Sequence, residues 1–115
     1  MQKTSETELV QQIRLAVSRI GCVVFRNNQG SFKDKNGRWV KFGVCNPGGS
    51  DLIGWTKDGK FLALEVKIEG KRPKPEQITF VNAVRRAGGV AAIVYSVQDA
   101  LDSINQPCNL IISDM

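Results

Sequence analysis

Apolar residues recur at Leu9, Ile13, Ala16, Val17 and Ile20, the three- and four-residue spacing of a helix that buries one stripe. Thr4 or Ser5 can cap that helix, and Glu8 completes a capping-box-like start, so the pattern predicts a helix over residues 8–19 ended by Gly21. Residues 22–26 then read as a buried strand, and Asn27-Asn28-Gln29-Gly30 as a polar turn. Residues 31–38 read as a mobile basic loop with an Asn36-Gly37 turn, and residues 39–44 alternate like a half-exposed strand. Two short runs, residues 52–54 and 62–66, are too apolar for a surface, and residues 55–61 between them read as a hairpin tip.

Pro75 suits the first turn of a second helix, whose apolar side is Ile78, Phe80, Val81, Val84 and Ala87 and which Gly88-Gly89 ends. Residues 90–95 form a buried strand, and Ser96 starts a short helix reaching about Ile104. The apolar tail after Pro107 is open to three readings: a dimer contact, a packed edge strand, or partial disorder. The expected organisation is one domain over residues 1–106 and a C-terminal tail over 107–115.

Composition narrows the chemistry. The 115 residues allow one small core, and 42% hydrophobic with 23% charged residues is ordinary for a globular chain. No apolar run approaches a membrane span and the N-terminus lacks a signal peptide's apolar region, so a cytoplasmic protein is expected. The three widely spaced cysteines, Cys22, Cys45 and Cys108, fit a reducing compartment. Histidine is absent altogether, which excludes zinc fingers, histidine bases and Ser-His triads. Any catalysis must use carboxylates, lysine and a metal. The net charge of +5 is concentrated in residues 33–74, where bases outnumber acids two to one, and elsewhere the signs balance. Such a segment suits a polyanionic substrate.

Three charges fall on the apolar hairpin: Asp51, Glu65 and Lys67. With a three-residue loop, Lys57-Asp58-Gly59, Thr56 pairs with Lys60 and Asp51 lies opposite Glu65, with Lys67 on the same face. A two-residue Asp58-Gly59 turn would put Asp51 on the other face. Two adjacent carboxylates on an apolar hairpin repel and lose hydration, so each resists ionising unless a cation lies between them. A hard divalent ion, Mg²⁺ or Mn²⁺, is the natural counter-charge. Lys67 would then orient a water or stabilise developing negative charge. The plainer alternative is that Lys67 pairs with Glu65 or Asp51 on an exposed face. One helical turn before Leu9 stands Glu6, over the stripe's buried side, with Glu8 as the fallback. The GxxxxGK spacing at residues 54–60 is not a phosphate loop, since Phe61 follows and two strands flank it.

The order Gly-Gly-Ser-Asp-Leu-Ile-Gly, then Leu-Glu-Val-Lys, then Pro-Glu-Gln-x-x-Phe resembles the virus-type replication-repair nuclease (VRR-NUC) domain of the PD-(D/E)xK superfamily. The likeness runs from about Glu6 to about Leu101 and suggests a stand-alone domain of phage or bacterial type. Gly-Gly-Ser separates Pro47 from Asp51, a spacing that the VRR-NUC subfamily shares. The resemblance implies an α/β, restriction-endonuclease-like fold, a mixed central sheet flanked by helices in the order α-β-β-β-α-β-α. It implies catalytic roles for Asp51, Glu65, Lys67, Gln77 and Glu6, with Mg²⁺ or Mn²⁺ held by Asp51, Glu65, the Val66 backbone carbonyl and Glu6. It also implies a homodimer that cuts branched DNA, resembling Holliday-junction resolvases. Arg26, Asn27 and Asn28, in an Arg-Asn-Asn-x-Gly run that relatives share, are candidate substrate contacts. So are Lys33, Lys35, Arg38, Lys41, Lys71 and Lys74, with Phe32 and Trp39 available to stack on bases. The alternative is a non-catalytic nucleic-acid-binding module, which would have lost at least one of the acids.

Overall fold

The computed structural model describes residues 4–113. Helix α1, Glu6–Arg19, starts at Ser5, whose Oγ accepts the Glu8 N–H at 3.1 Å. Its buried stripe is Leu9, Val10, Ile13 and Val17. Val10 was not in the expected stripe, whereas Ile20 was and stands 36% exposed, because the helix ends at Arg19 and Ile20 is its cap. After β1 (Val23–Arg26) come β2 (Gly30–Lys33), β3 (Trp39–Phe42), β4 (Leu52–Trp55) and β5 (Phe61–Val66). Helix α2 (Pro75–Arg86), strand β6 (Val90–Val94) and helix α3 (Val97–Asn105) complete the order.

Four of the strands make one mixed sheet in the order β1-β4-β5-β6. The first two pairings are antiparallel, and β6, reached by way of α2, pairs parallel with β5. Alternation along the strands sorts the side chains onto two faces. Val24, Leu52, Leu62, Leu64, Val66, Val90, Ala92 and Val94 join the stripe of α1 and Ala100 of α3 in the larger core. On the other face Ala63 and Ala91 meet Val81 and Val84 of α2. The elements that build or cover this sheet, α1-β1-β4-β5-α2-β6-α3, follow the expected α-β-β-β-α-β-α order.

The remaining two strands correct an expectation. Residues 31–38, expected as a loop, largely belong to a second hairpin in which Gly30–Lys33 pairs antiparallel with Trp39–Phe42. The Asn36-Gly37 turn closes it: Gly37 takes φ +80° and Asp34 Oδ1 accepts the N–H groups of Asn36 and Arg38 at 2.8 and 2.9 Å. All four residues of β3 are exposed, where a half-exposed strand was expected, because among the described residues this ribbon is a separate two-stranded sheet that joins no other strand.

The tail is tied down as far as it is described. Asn82 and Ile112 exchange two hydrogen bonds of 3.0 and 2.8 Å, and Arg85 Nη1 donates to the Leu110 carbonyl at 2.7 Å. Ile112 packs on the α2 core. Among the described residues no helix is long and apolar enough to cross a membrane.

Candidate active site

The β4–β5 hairpin has the three-residue turn. Thr56 N–H donates to Lys60 O at 2.8 Å, Gly59 N–H donates back to Thr56 O at 2.9 Å, and Gly59 takes φ +88°. The Thr56 hydroxyl also bonds the Asp58 carboxylate, and that bond is the first reason the Asp58 acid is held below its ordinary pKa. From this turn the ladder runs Trp55↔Phe61 to Leu52↔Leu64. One step further places Asp51 opposite Glu65, and Asp51 Oδ2 accepts the Val66 N–H at 2.8 Å.

Glu65 lies in the wall of the sheet with 2% of its surface exposed. Its Oε2 is 3.5 Å from Lys67 Nζ, while Oε1 is buried with no hydrogen-bond partner. Burial first, and the Asp51 carboxylate second, push the Glu65 acid up to about 8, against the pull of Lys67. A buried carboxylate oxygen without a donor is costly. The pair therefore has the character of a cation hole: hard oxygen donors, one of them unsatisfied, that resist ionising together until a cation lies between them. In an extended strand the N–H and C=O of one residue share an edge. The Val66 carbonyl thus opens on the side from which its N–H reaches Asp51.

A third acid does not join them. Among the described residues no group of three or more cysteine, aspartate or glutamate side chains gathers as a metal site. Glu6 is exposed in the first turn of α1, not over the buried side. It keeps the direction of the stripe, but burial begins only at Leu9, so this turn overhangs the core. Two carboxylates are nevertheless enough for Mg²⁺, which keeps waters and is completed by substrate phosphates.

Gln77 stands at the third position of α2, where its Oε1 accepts the Lys74 N–H at 2.8 Å and holds the helix start. This turn of α2 is brought toward the acids by a close approach. Gly48, at φ +104°, lies so near the Glu76 carbonyl that a side chain there would collide with it. Gly49 leaves the same room for the Val44 carbonyl. The Pro47-Gly48-Gly49-Ser50 run is thus a tightly folded lead into Asp51.

The other sequence-derived candidates separate. Arg26 ends β1, level with Leu52 of β4, and is exposed. Asn27 is buried and fully used: its Nδ2 donates to Val44 O (2.9 Å) and Ser50 O (3.1 Å), and its Oδ1 accepts from Val44 N–H (2.8 Å). It clamps the loop before Asp51 and has no polar atom left for a phosphate. Gln29 and Asn46, which were not singled out, belong to the same clamp through Gly49 O, Gly30 O and Phe42 O. Nothing local signals this, since the partners lie up to 23 residues away. Asn28, Lys33, Lys35, Arg38, Lys41, Lys71 and Lys74 are exposed. Four of these cations, Lys33, Lys35, Arg38 and Lys41, ride on the β2–β3 hairpin.

A family profile described as the VRR-NUC domain matches residues 8–98. No curated protein matches the chain. A solved structure titled VRR_NUC domain superposes with a TM-score of 0.61 at 21% identity, covering 92% of this chain and all of that one. At that identity the superposition speaks for the fold.

Proposed function

The chain belongs to the VRR-NUC family, and from that premise we propose that it is a metal-dependent endonuclease that hydrolyses phosphodiester bonds in branched DNA. Membership itself makes it a nuclease-type domain. The observation that carries the finer reading is Glu65 Oε1, buried and unpartnered beside Asp51. Asp51, Glu65 and the Val66 carbonyl would hold a Mg²⁺ or Mn²⁺ ion; Glu6, the further ligand that the family resemblance implies, stands exposed in the first turn of α1. When bound, such an ion supplies Lewis-acid stabilisation of the charge that develops on the phosphate.

The protein's own groups do the rest. Lys67, 3.5 Å from Glu65, is oriented by that carboxylate and directs its ammonium protons at the attacking water or at phosphate oxygens. Gln77, its Oε1 already committed to Lys74 N–H, has an amide nitrogen with which to hold a phosphate oxygen or position that water. Exposed cations, Arg26 and those of the β2–β3 hairpin foremost, neutralise the strand being cut. One such chain carries a single site, so paired cuts on two strands call for two copies, which is the support for a homodimer.

A labelled four-way junction incubated with the protein in Mg²⁺, Mn²⁺ or EDTA tests this. Cutting is expected only with the ions, and Asp51→Asn is expected to abolish it while leaving DNA binding intact. Binding without cutting under every metal condition would instead make the chain a nucleic-acid-binding module.

A further inference from the structure

The β2–β3 hairpin is two-faced. Its register sets Phe32 opposite Val40 and Gly30 opposite Phe42, so one face is apolar, with Phe32 and Phe42 rings 6.3 Å apart. The other face carries Lys33 opposite Trp39 and Ser31 opposite Lys41. Trp39 is 68% exposed, more than any other aromatic side chain among the described residues, and Lys33 Nζ stands 5.4 Å from its ring centroid. Lysine on one side of an indole leaves the opposite side of the ring to solvent. The only acid in this segment, Asp34, has Oδ1 occupied in the turn, so Lys33, Lys35, Arg38 and Lys41 act with little opposition.

From this juxtaposition we infer that the Lys33–Trp39–Lys41 face is a platform for an unpaired nucleotide, whose base stacks on Trp39 while the lysines hold the flanking phosphates. The inference rests on the proposed function in taking DNA as the substrate, and it deepens that reading by naming which DNA is gripped. An exposed indole with a lysine over one side, and a second lysine further along the same face, is the kind of surface on which single strands bind with little regard to sequence. A base inside a duplex already has both faces stacked and offers Trp39 none. A protein partner would be drawn to the apolar face, not to this one.

The platform is also fixed relative to the acids. Asn46 Nδ2 donates to Gly30 O and Phe42 O at 2.8 Å each, gripping both strands at the base of the hairpin. Gln29 Nε2 donates to Gly49 O at 2.7 Å, two residues before Asp51. A strand seated on Trp39 is thereby held at a set distance from the hydrolytic pair. The substrate selected is DNA with an unpaired segment next to the bond to be cut.

The test compares affinities in EDTA for a labelled single-stranded oligonucleotide and for the same sequence as a duplex. Trp39→Ala should weaken single-strand binding roughly 5- to 150-fold, the worth of one stacked base, and Trp39→Phe should restore most of it. Duplex affinity should stay within about twofold in both variants. Quenching of tryptophan fluorescence by the single strand should vanish in Trp39→Ala, although Trp55 remains. Equal loss on both DNAs, or no loss on the single strand, would overturn the inference. So would a Phe32→Ser variant that changes the oligomeric state and lowers single-strand affinity while Trp39→Ala does not. A wild-type protein that cuts a junction in Mg²⁺ while Trp39→Ala keeps full single-strand affinity overturns the platform alone. One that neither binds nor cuts DNA overturns the nuclease reading beneath it.

Discussion

Two hairpins in this chain are built by similar local rules and end in opposite surroundings. Each turns on a glycine with positive φ, Gly37 in one and Gly59 in the other, and in each the carboxylate of an aspartate of the turn, Asp34 or Asp58, takes a hydrogen bond within it. Yet β4–β5 is walled in by β1, β6 and helices on both faces, and there it carries Asp51 and Glu65. Among the described residues the β2–β3 hairpin pairs with no other strand, and it carries lysines, arginine and exposed rings. The difference teaches that turn chemistry sets register, while the neighbours of a strand set what its charges can do. A carboxylate in the walled-in hairpin is held up as an acid, whereas the lysines of the free one stand exposed.

The sharpest way to probe the contrast is to remove one lysine from each. Lys67→Met should lower kcat on junction DNA by about 10²- to 10⁴-fold, the usual worth of a placed proton-transfer or charge-stabilising group. Lys41→Ala should leave kcat alone, weaken DNA binding a few-fold and reduce the salt dependence of binding by about one charge. Steady-state kinetics at two ionic strengths separate the two outcomes.

Packing offers a second contrast. Leu64 has no exposed surface, and Leu64→Ala should destabilise the fold by about 2–5 kcal/mol. Val40 is 37% exposed on the apolar face of the ribbon, and Val40→Ala should stay within about 0.5 kcal/mol in urea unfolding.

Titration offers a third. Burial and Asp51 raise Glu65 from 4.5 to about 8, so the folded protein prefers the protonated acid more than the unfolded chain does. That contribution to stability is complete below pH 4.5 and is lost as pH climbs through that window to 8. The loss runs at about 1.4 kcal/mol per pH unit at most. Melting curves in EDTA should show it, Glu65→Gln should flatten it, and Mg²⁺ should restore the wild type at pH 8 without helping the variant. A further effect is expected at the joint between the hairpins. Asn27→Ala strips three hydrogen bonds from the loop at Val44 and Ser50 and should cost about 1–3 kcal/mol.

What could be read beforehand follows the same divide. The β4–β5 register was legible because a turn signal and three charges had to agree, and only the three-residue loop put Asp51 beside Glu65. The stripe of α1 was legible by period, apart from Val10 and Ile20. The β2–β3 ribbon was half hidden, since polar alternation without a core to face resembles a loop. Asn27 reads in the sequence as an exposed turn residue, because its partners are distant in the chain and only folding reveals that it is buried. Glu6 had the right azimuth but lies beyond the last buried turn. Docking of the tail through Asn82 and Arg85 left no trace in any periodic pattern.

The Lys57-Asp58-Gly59 turn closes β4–β5 at the end away from the acids. From Thr56 back to Asp51 the strand spans five residues, roughly 17 Å at the rise of an antiparallel strand. Gly59 has to stay a glycine at φ +88°, while Lys57 and Lys60 around it are exposed. A fluorophore or affinity handle grafted at this tip would travel with the very strands that carry the chemistry, yet out of its reach. The fold thus supplies its own attachment point for watching a single molecule at work.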